Sequence, residues 1–208
     1  MPTEGTTTFH DEIYGDITVP NAELDDMILI KSDGYPTYNF ANVIDDHLME
    51  ITHIMRGAEF ITSTPKYILL YQSYGWDVPT FIHLAPVMGK NEDGSVSKLS
   101  KRHGATSFDD LVKLGYLPEA ITNYVALLGW NPKTTNQEIF SMDELIKYFS
   151  LDGLSKSPAV FDYDKLGWIN GEYFKNMTDA DFASQSHAYA GDLPECLEKN
   201  WEMLAALL

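Results

Sequence analysis

Two periods of apolar residues run along this chain, and the change from one to the other divides it. Residues 1–26 are polar and rich in threonine, aspartate and glycine, which predicts loops and short strands with few apolar anchors. Met27–Lys31 (MILIK) is a short apolar run stopped by Asp33-Gly34, the pattern of a buried strand. After Pro36, the residues Phe40, Val43 and Ile44 follow helical spacing and predict a helix over Thr37–Asp45. Ile51–Met55 (ITHIM) predicts a second strand. In STPKYILLYQSYGW, Thr64 suits a cap, Pro65 the first helical position and Gly75 the stop. Thr80–Met88 (TFIHLAPVM) predicts a third strand, which runs into a loop of glycine and serine.

Strands alternating with helices over short joins predict a parallel sheet built from right-handed crossovers. Ligands of such sheets bind beyond the carboxyl ends of the strands, which is where the loop after Met88 falls. Beyond Ser107 the pattern is helical throughout. FDDLVKLG stops at Gly115, PEAITNYVALLG opens on Pro118 and stops at Gly129, and SMDELIKYF sets Ser141 and Glu144 at capping-box spacing. DYDKLGWIN and a stretch over about 194–208 are further helical candidates. A boundary is therefore expected near residue 105. The fold class is α/β, followed by an all-helical domain.

Composition narrows the setting. No apolar run approaches the length of a membrane span, and MPTEGTTTFHDE is not a signal peptide. The single cysteine, Cys196, leaves no internal disulfide framework and no multi-cysteine structural zinc site. A soluble, cytoplasmic protein follows. With 31 acidic and 14 basic residues the net charge is −17, which argues against nucleic-acid binding through a broad basic face. Local contacts through a few placed cations remain open.

Those cations are concentrated in NEDGSVSKLSKRHGATS, where Lys98, Lys101 and Arg102 stand within five residues. Two lysines and an arginine on a glycine-bearing loop suit a polyphosphate, lysine as a point charge and arginine as a fork. They would stabilise the charge that builds on a departing pyrophosphate. The same residues also suit a solvated surface loop. KLSKR resembles the KMSKS signature of class I aminoacyl-tRNA synthetases. SDGYPTYNFANVIDDHLMEITHIMRGAEFITSTPKYILLYQSYGW, GYLPEAITNYVALLGW, SKSPAVFDYDKLGWINGEY and TTTFHDEIYGDI are similar to the glutamyl enzymes over residues 5–174.

The resemblance implies roles at matching positions. Lys98 and Lys101 would be the catalytic cations, with Ser100 and Arg102 shaping the ATP-binding loop. Tyr38, Asn42 and Arg56 would contact glutamate. Independently, Tyr38 and Asn42 lie four apart on one helical face, and a planar guanidinium suits a carboxylate. Glu59 is implied in ATP recognition, and Val87 and Met88 would border adenine, although a Val-Met pair equally reads as core. Asp45, Asp46 and His47 would meet the tRNA acceptor end; they read otherwise as a polar helix terminus whose acids oppose the macrodipole. His83 reads as a site residue or as a hydrogen-bonded core histidine, and His103 as exposed. The tryptophans read as core.

The implied substrates are ATP with Mg2+, L-glutamate and tRNA(Glu), for a monomeric parent enzyme with no membrane partner. The family's HIGH-type motif and N-terminal glutamate-binding arginine find no match in the first 90 residues. The resemblance thus implies an internal fragment. Residues 1–26 would end the acceptor-binding insertion, 27–105 would form the second half of a Rossmann-like catalytic domain, and 106–208 would form a helical stem-contact domain and the start of the C-terminal region. Such a piece is expected to be inactive alone and to bind tRNA weakly and in a salt-sensitive way. Two other readings stay open: a relative acting on glutamine, and a truncated paralogue that binds tRNA or a protein without catalysis.

Overall fold

A computed structural model describes residues 1–104 and 106–190, and these fall into two compact units. The first comprises Met1–Pro86 with Ser150–Pro158, and the second comprises Val87–Phe149 with the chain from Ala159 onward. The units part at Val87, ahead of the boundary expected near residue 105.

The first unit is a four-stranded mixed sheet with two helices. Strands β1 (Thr6–Asp11) and β2 (Gly15–Pro20) form an antiparallel hairpin within the polar opening of the chain. β1 alternates strictly, exposing Thr6, Thr8 and His10 and burying Thr7, Phe9 and Asp11. Helix α1 (Tyr38–Leu48) leads to β3 (His53–Gly57), and helix α2 (Thr64–Tyr74) leads to β4 (Thr80–Leu84). The spatial order is β2-β1-β4-β3, with β4 parallel to both β1 and β3. Phe9, Val43, Tyr67, Ile68, Leu70, Tyr71 and Phe81 form the core beneath the helices.

Three expectations are corrected in this unit. MILIK is not a buried strand: Ile28 and Ile30 face solvent, and β1 holds the place beside β4. Its backbone instead makes a tight turn, with Lys31 N–H donating to Tyr35 O and Thr37 N–H to Leu29 O. α1 runs one turn beyond Asp45. Thr64 is not a cap: Ser63 precedes α2 without a side-chain bond, and the Thr64 hydroxyl donates to Phe60 O. Gly75 does end α2 in the left-handed conformation, at φ 69°.

The third predicted strand is really two. β4 stops at Leu84, and after Pro86, which has no N–H for a ladder, β5 (Val87–Lys90) joins a different sheet. β5 pairs antiparallel with β6 (Val96–Lys98) and parallel with β7 (Ala159–Val160). Around this small sheet stand helices α3 (Phe108–Lys113), α4 (Pro118–Gly129), α5 (Met142–Tyr148), α6 (Tyr163–Lys175) and α7 (Asp179–Ala190). The part beyond Ser107 is thus helical except for β7, which corrects the all-helical expectation. Its core joins Leu111, Leu117, Ala120, Ile121, Tyr124, Phe161, Leu166 and Ile169. The predicted Ser141–Glu144 capping box is formed, with both reciprocal bonds present. The helical candidate over about 194–208 lies outside the described residues. Among the described residues no helix is long and apolar enough to cross a membrane.

Candidate active site

Arg56 and His83 are register partners on the parallel strands β3 and β4, so their side chains leave the sheet on one face near its carboxyl edge. Arg56 Nε–H donates to His83 Nε2 at 3.2 Å, and Nη2 donates to Thr64 Oγ1 at 2.8 Å. The guanidinium carbon lies 5.1 Å from the Phe60 ring centre, 4.8 Å from Tyr67 and 5.2 Å from Phe81. Each aromatic face attracts the cation, and together they exclude water from much of it.

Among the described residues, no carboxylate forms an ion pair with Arg56; its hydrogen-bond partners are all uncharged. Burial lowers its pKa from the usual range, with Tyr67, Tyr38 and Asp46 acting the other way. A guanidinium remains charged regardless. Buried cations are ordinarily paired with an anion, whereas this half-buried one is lined by rings and neutral acceptors.

Tyr38 and Asn42 come from α1, as the four-residue spacing required. Tyr38 packs its ring 5.6 Å from Phe60, and its hydroxyl is within hydrogen-bonding reach of Arg56. Asn42 adjoins Tyr67, the ring under the guanidinium, and its Oδ1 is buried with no hydrogen-bond partner among the described residues. Tyr67 donates its hydroxyl to Asn39 Oδ1 at 2.6 Å. The structure therefore brings Tyr38, Asn42 and Arg56 to one place.

Asp45, Asp46 and His47 occupy the last turn of α1, and their roles diverge. Asp45 is exposed. The Asp46 carboxyl has its pKa raised by burial, against the pull of Arg56 and with a push from Asp45. His47 lies flat on Trp76, rings 3.8 Å apart and 5° from parallel, and Tyr74 stacks on Trp76 at 4.5 Å. One face of the His47 ring is thus already covered. Glu59 folds its carboxylate back over Gly57, where a side chain would meet it.

The KLSKR segment belongs to the second unit and is not a loose loop. β5 and β6 form a hairpin that turns through Asn91–Ser95, and Met88 is the register partner of Lys98. Val87 packs on the helical core, and its carbonyl accepts from Leu99 N–H. Ser100 and His103 make a reciprocal capping box around one turn of 3₁₀ helix, Lys101–His103. Arg102 Nη2 donates to Ser97 Oγ at 2.9 Å. His103, expected to be exposed, is half-buried instead. Its ring covers Gly89, where a Cβ would stand 2.7 Å from it, and its Nε2 lies 3.0 Å from Asn91 Oδ1. A cavity of about 210 Å³ opens beside it, lined in part by Leu99, Phe161 and Tyr163. Lys101 is exposed and makes no side-chain hydrogen bond or ion pair among the described residues.

Sequence reasoning missed the supports: Asp11, Thr64, Phe60 and Tyr67 around Arg56, and Asn91 under His103. Asp11 carried one signal, a carboxylate on the buried side of an alternating strand.

This is the α/β architecture of a class I synthetase catalytic domain, and the comparisons agree. The profile of the family described as tRNA synthetases class I (E and Q), catalytic domain, matches residues 1–168, and the chain belongs to that family. It is 55% identical over 203 residues to a glutamate–tRNA ligase of Clostridium kluyveri, covering 98% of this chain and 40% of the relative. It is 61% identical over 177 residues to one from Clostridium botulinum, covering 85% and 36%. Among solved structures, a glutamate tRNA ligase from Elizabethkingia meningosepticum in complex with its amino acid matches with a TM-score of 0.86. That match has 35% identity and covers all of this chain and 44% of the other. The chain thus spans about 40% of the length of the curated relatives it matches.

Proposed function

We propose that this chain supplies the glutamate-binding pocket and the phosphate-binding loop of a glutamate–tRNA ligase. The parent enzyme condenses the α-carboxylate of glutamate with the α-phosphate of ATP, releases pyrophosphate, and passes the glutamyl group to the 3′ end of tRNA(Glu). Arg56 takes the side-chain carboxylate. The observation that carries this reading is its guanidinium, held by rings and neutral acceptors with no carboxylate paired to it among the described residues. Tyr38 closes the same pocket, and Asn42 Oδ1, without a hydrogen-bond partner among the described residues, is an acceptor for an N–H of the amino acid.

Lys98 and Lys101 meet the ATP phosphates, Lys101 facing the departing pyrophosphate, while Ser100 and Arg102 keep the turn in shape. Met88, beside Lys98 in the hairpin, borders the adenine with Val87, and Glu59 joins ATP recognition. Asp45, Asp46 and the open side of His47 face the acceptor end of the tRNA. Mg2+ arrives bound to the nucleotide phosphates. On this reading residues 1–26 end the acceptor-binding insertion, residues 27–105 are the second half of the Rossmann-like catalytic domain, and residues 106–208 are the stem-contact domain and the start of the C-terminal region.

ATP–pyrophosphate exchange tests the proposal. A ligase carrying this sequence should exchange with glutamate in the presence of tRNA(Glu), and Arg56→Lys should raise its KM for glutamate at least tenfold. An unchanged glutamate KM would overturn it. The 208-residue chain alone should not exchange at the rate of the whole ligase.

A further inference from the structure

His83 is completely buried, and so is Asp11, its partner on β1. The Asp11 carboxylate receives four hydrogen bonds. Oδ2 accepts from His83 N–H at 3.1 Å and lies 2.6 Å from His83 Nδ1, while Oδ1 accepts from Ile13 N–H at 3.0 Å and Tyr14 N–H at 2.9 Å. A carboxylate fixed by three backbone donors accepts the ring proton rather than giving one up. Nδ1 therefore carries the hydrogen. The opposite nitrogen, Nε2, faces Arg56 Nε–H, a group that only donates. Thr64 also touches Nε2, but its single hydroxyl hydrogen goes to Phe60 O, and its oxygen accepts from Arg56 Nη2.

We propose that Asp11 and His83 are positioning residues for substrate recognition: Asp11 holds His83 in the neutral Nδ1–H form, so that its Nε2 lone pair clamps Arg56 and aims the guanidinium fork at the ligand carboxylate. The inference rests on the proposed role of Arg56. With Nε–H and one Nη2 hydrogen engaged by His83 and Thr64, three hydrogens remain, and the facing pair on the Nη1–Nη2 edge grips a carboxylate in two parallel bonds. An imidazole protonated at Nε2 would instead point a hydrogen at another donor and place a second cation beside the first. Of the groups facing His83, Asp11 from β1 favours the protonated ring, Arg56 from β3 opposes it, and Thr64 from α2 and the Phe9 and Phe81 rings at 6.4 and 6.0 Å carry no charge. Burial and the Arg56 charge also lower the His83 pKa, against the pull of Asp11.

Two measurements on the full-length ligase test this. Long-range proton–nitrogen NMR with 15N-labelled histidine should show the His83 ring neutral at pH 7 with its proton on Nδ1. The Nε2–H form, or an imidazolium, would overturn the proposal without touching the role of Arg56. In exchange kinetics, His83→Asn keeps a donor for Asp11 and removes the acceptor for Arg56. It should raise the glutamate KM about tenfold or more while leaving the ATP KM within about twofold, and His83→Gln, whose amide oxygen reaches the Nε2 position, should recover most of the loss. Equal effects on both KM values, or no rescue by Gln, would mark His83 as merely structural and overturn the clamp. An Arg56→Lys variant indistinguishable from wild type would instead sink the underlying reading.

Discussion

The two candidate half-sites are built on opposite plans. Arg56 sits in a shell of rings and neutral acceptors that reaches back to a fully buried carboxylate. The lysines of KLSKR stand exposed at a strand end and on a single 3₁₀ turn, and the bonds that shape the segment include local ones, Ser100 with His103, Arg102 with Ser97 and His103 with Asn91, and one from the Tyr163 hydroxyl to His103 O. Recognition of a ground-state carboxylate demands a fork already aimed, because ordering an arginine at the moment of binding would cost affinity. Stabilising charge that exists only during pyrophosphate departure demands cations whose strongest contact forms late. On the proposed reading, burial serves the first task and exposed lysine the second.

That contrast can be broken by substitution. Arg56→Ala should have the largest effect, lowering kcat/KM for glutamate about a thousandfold, within the range for removing one side of a desolvated ion pair. Lys101→Ala should lower kcat of exchange about a hundredfold, as loss of one transition-state donor does, with little change in glutamate KM. If both variants changed KM alone, the division between the half-sites would be wrong. Gly89→Ala should unseat the His103 ring and cost about 1–3 kcal/mol of stability, read by denaturant melts, because the added Cβ stands only 2.7 Å from it. Ser100→Ala, which removes one half of a capping box, should cost no more than about 1 kcal/mol.

Stability should also respond to pH through His83. Its pKa in the folded protein lies below the ordinary value of 6.5 because burial disfavours the charged ring. The unfolded chain therefore takes up this proton first as pH falls. The contribution of His83 is fully present above about pH 6.5 and is lost below it, down to the folded pKa. Thermal melts of wild type and His83→Gln between pH 8 and 5 check this; the wild type should lose more stability over the acid half.

Much of this plan was legible in the sequence where local chemistry decides structure. Gly75, Pro118 and the Ser141–Glu144 pair mark helix ends by conformational preference and reciprocal capping, and all three mark them in the fold. Tyr38 and Asn42 fell on one face because helical spacing alone sets that. What failed depended on neighbours distant in sequence. MILIK has the composition of a strand, yet β1 occupies the place beside β4, a competition no short window reveals. Val87–Lys90 continues an apolar run, but Pro86 hands it to another sheet, whose third strand arrives from Ala159–Val160. Arg56 was visible as a candidate, while its support by Asp11 spans a hydrogen-bond chain whose His83–Asp11 link crosses 72 positions.

On the proposed reading, Arg56 pairs with the side-chain carboxylate of glutamate. This pairing is tested most directly by the ratio of kcat/KM for glutamate over glutamine in ATP–pyrophosphate exchange, measured for wild type and Arg56→Gln in the full-length ligase. A guanidinium that pairs with the carboxylate predicts a ratio at least a hundredfold lower in the variant, and an unchanged ratio would contradict it.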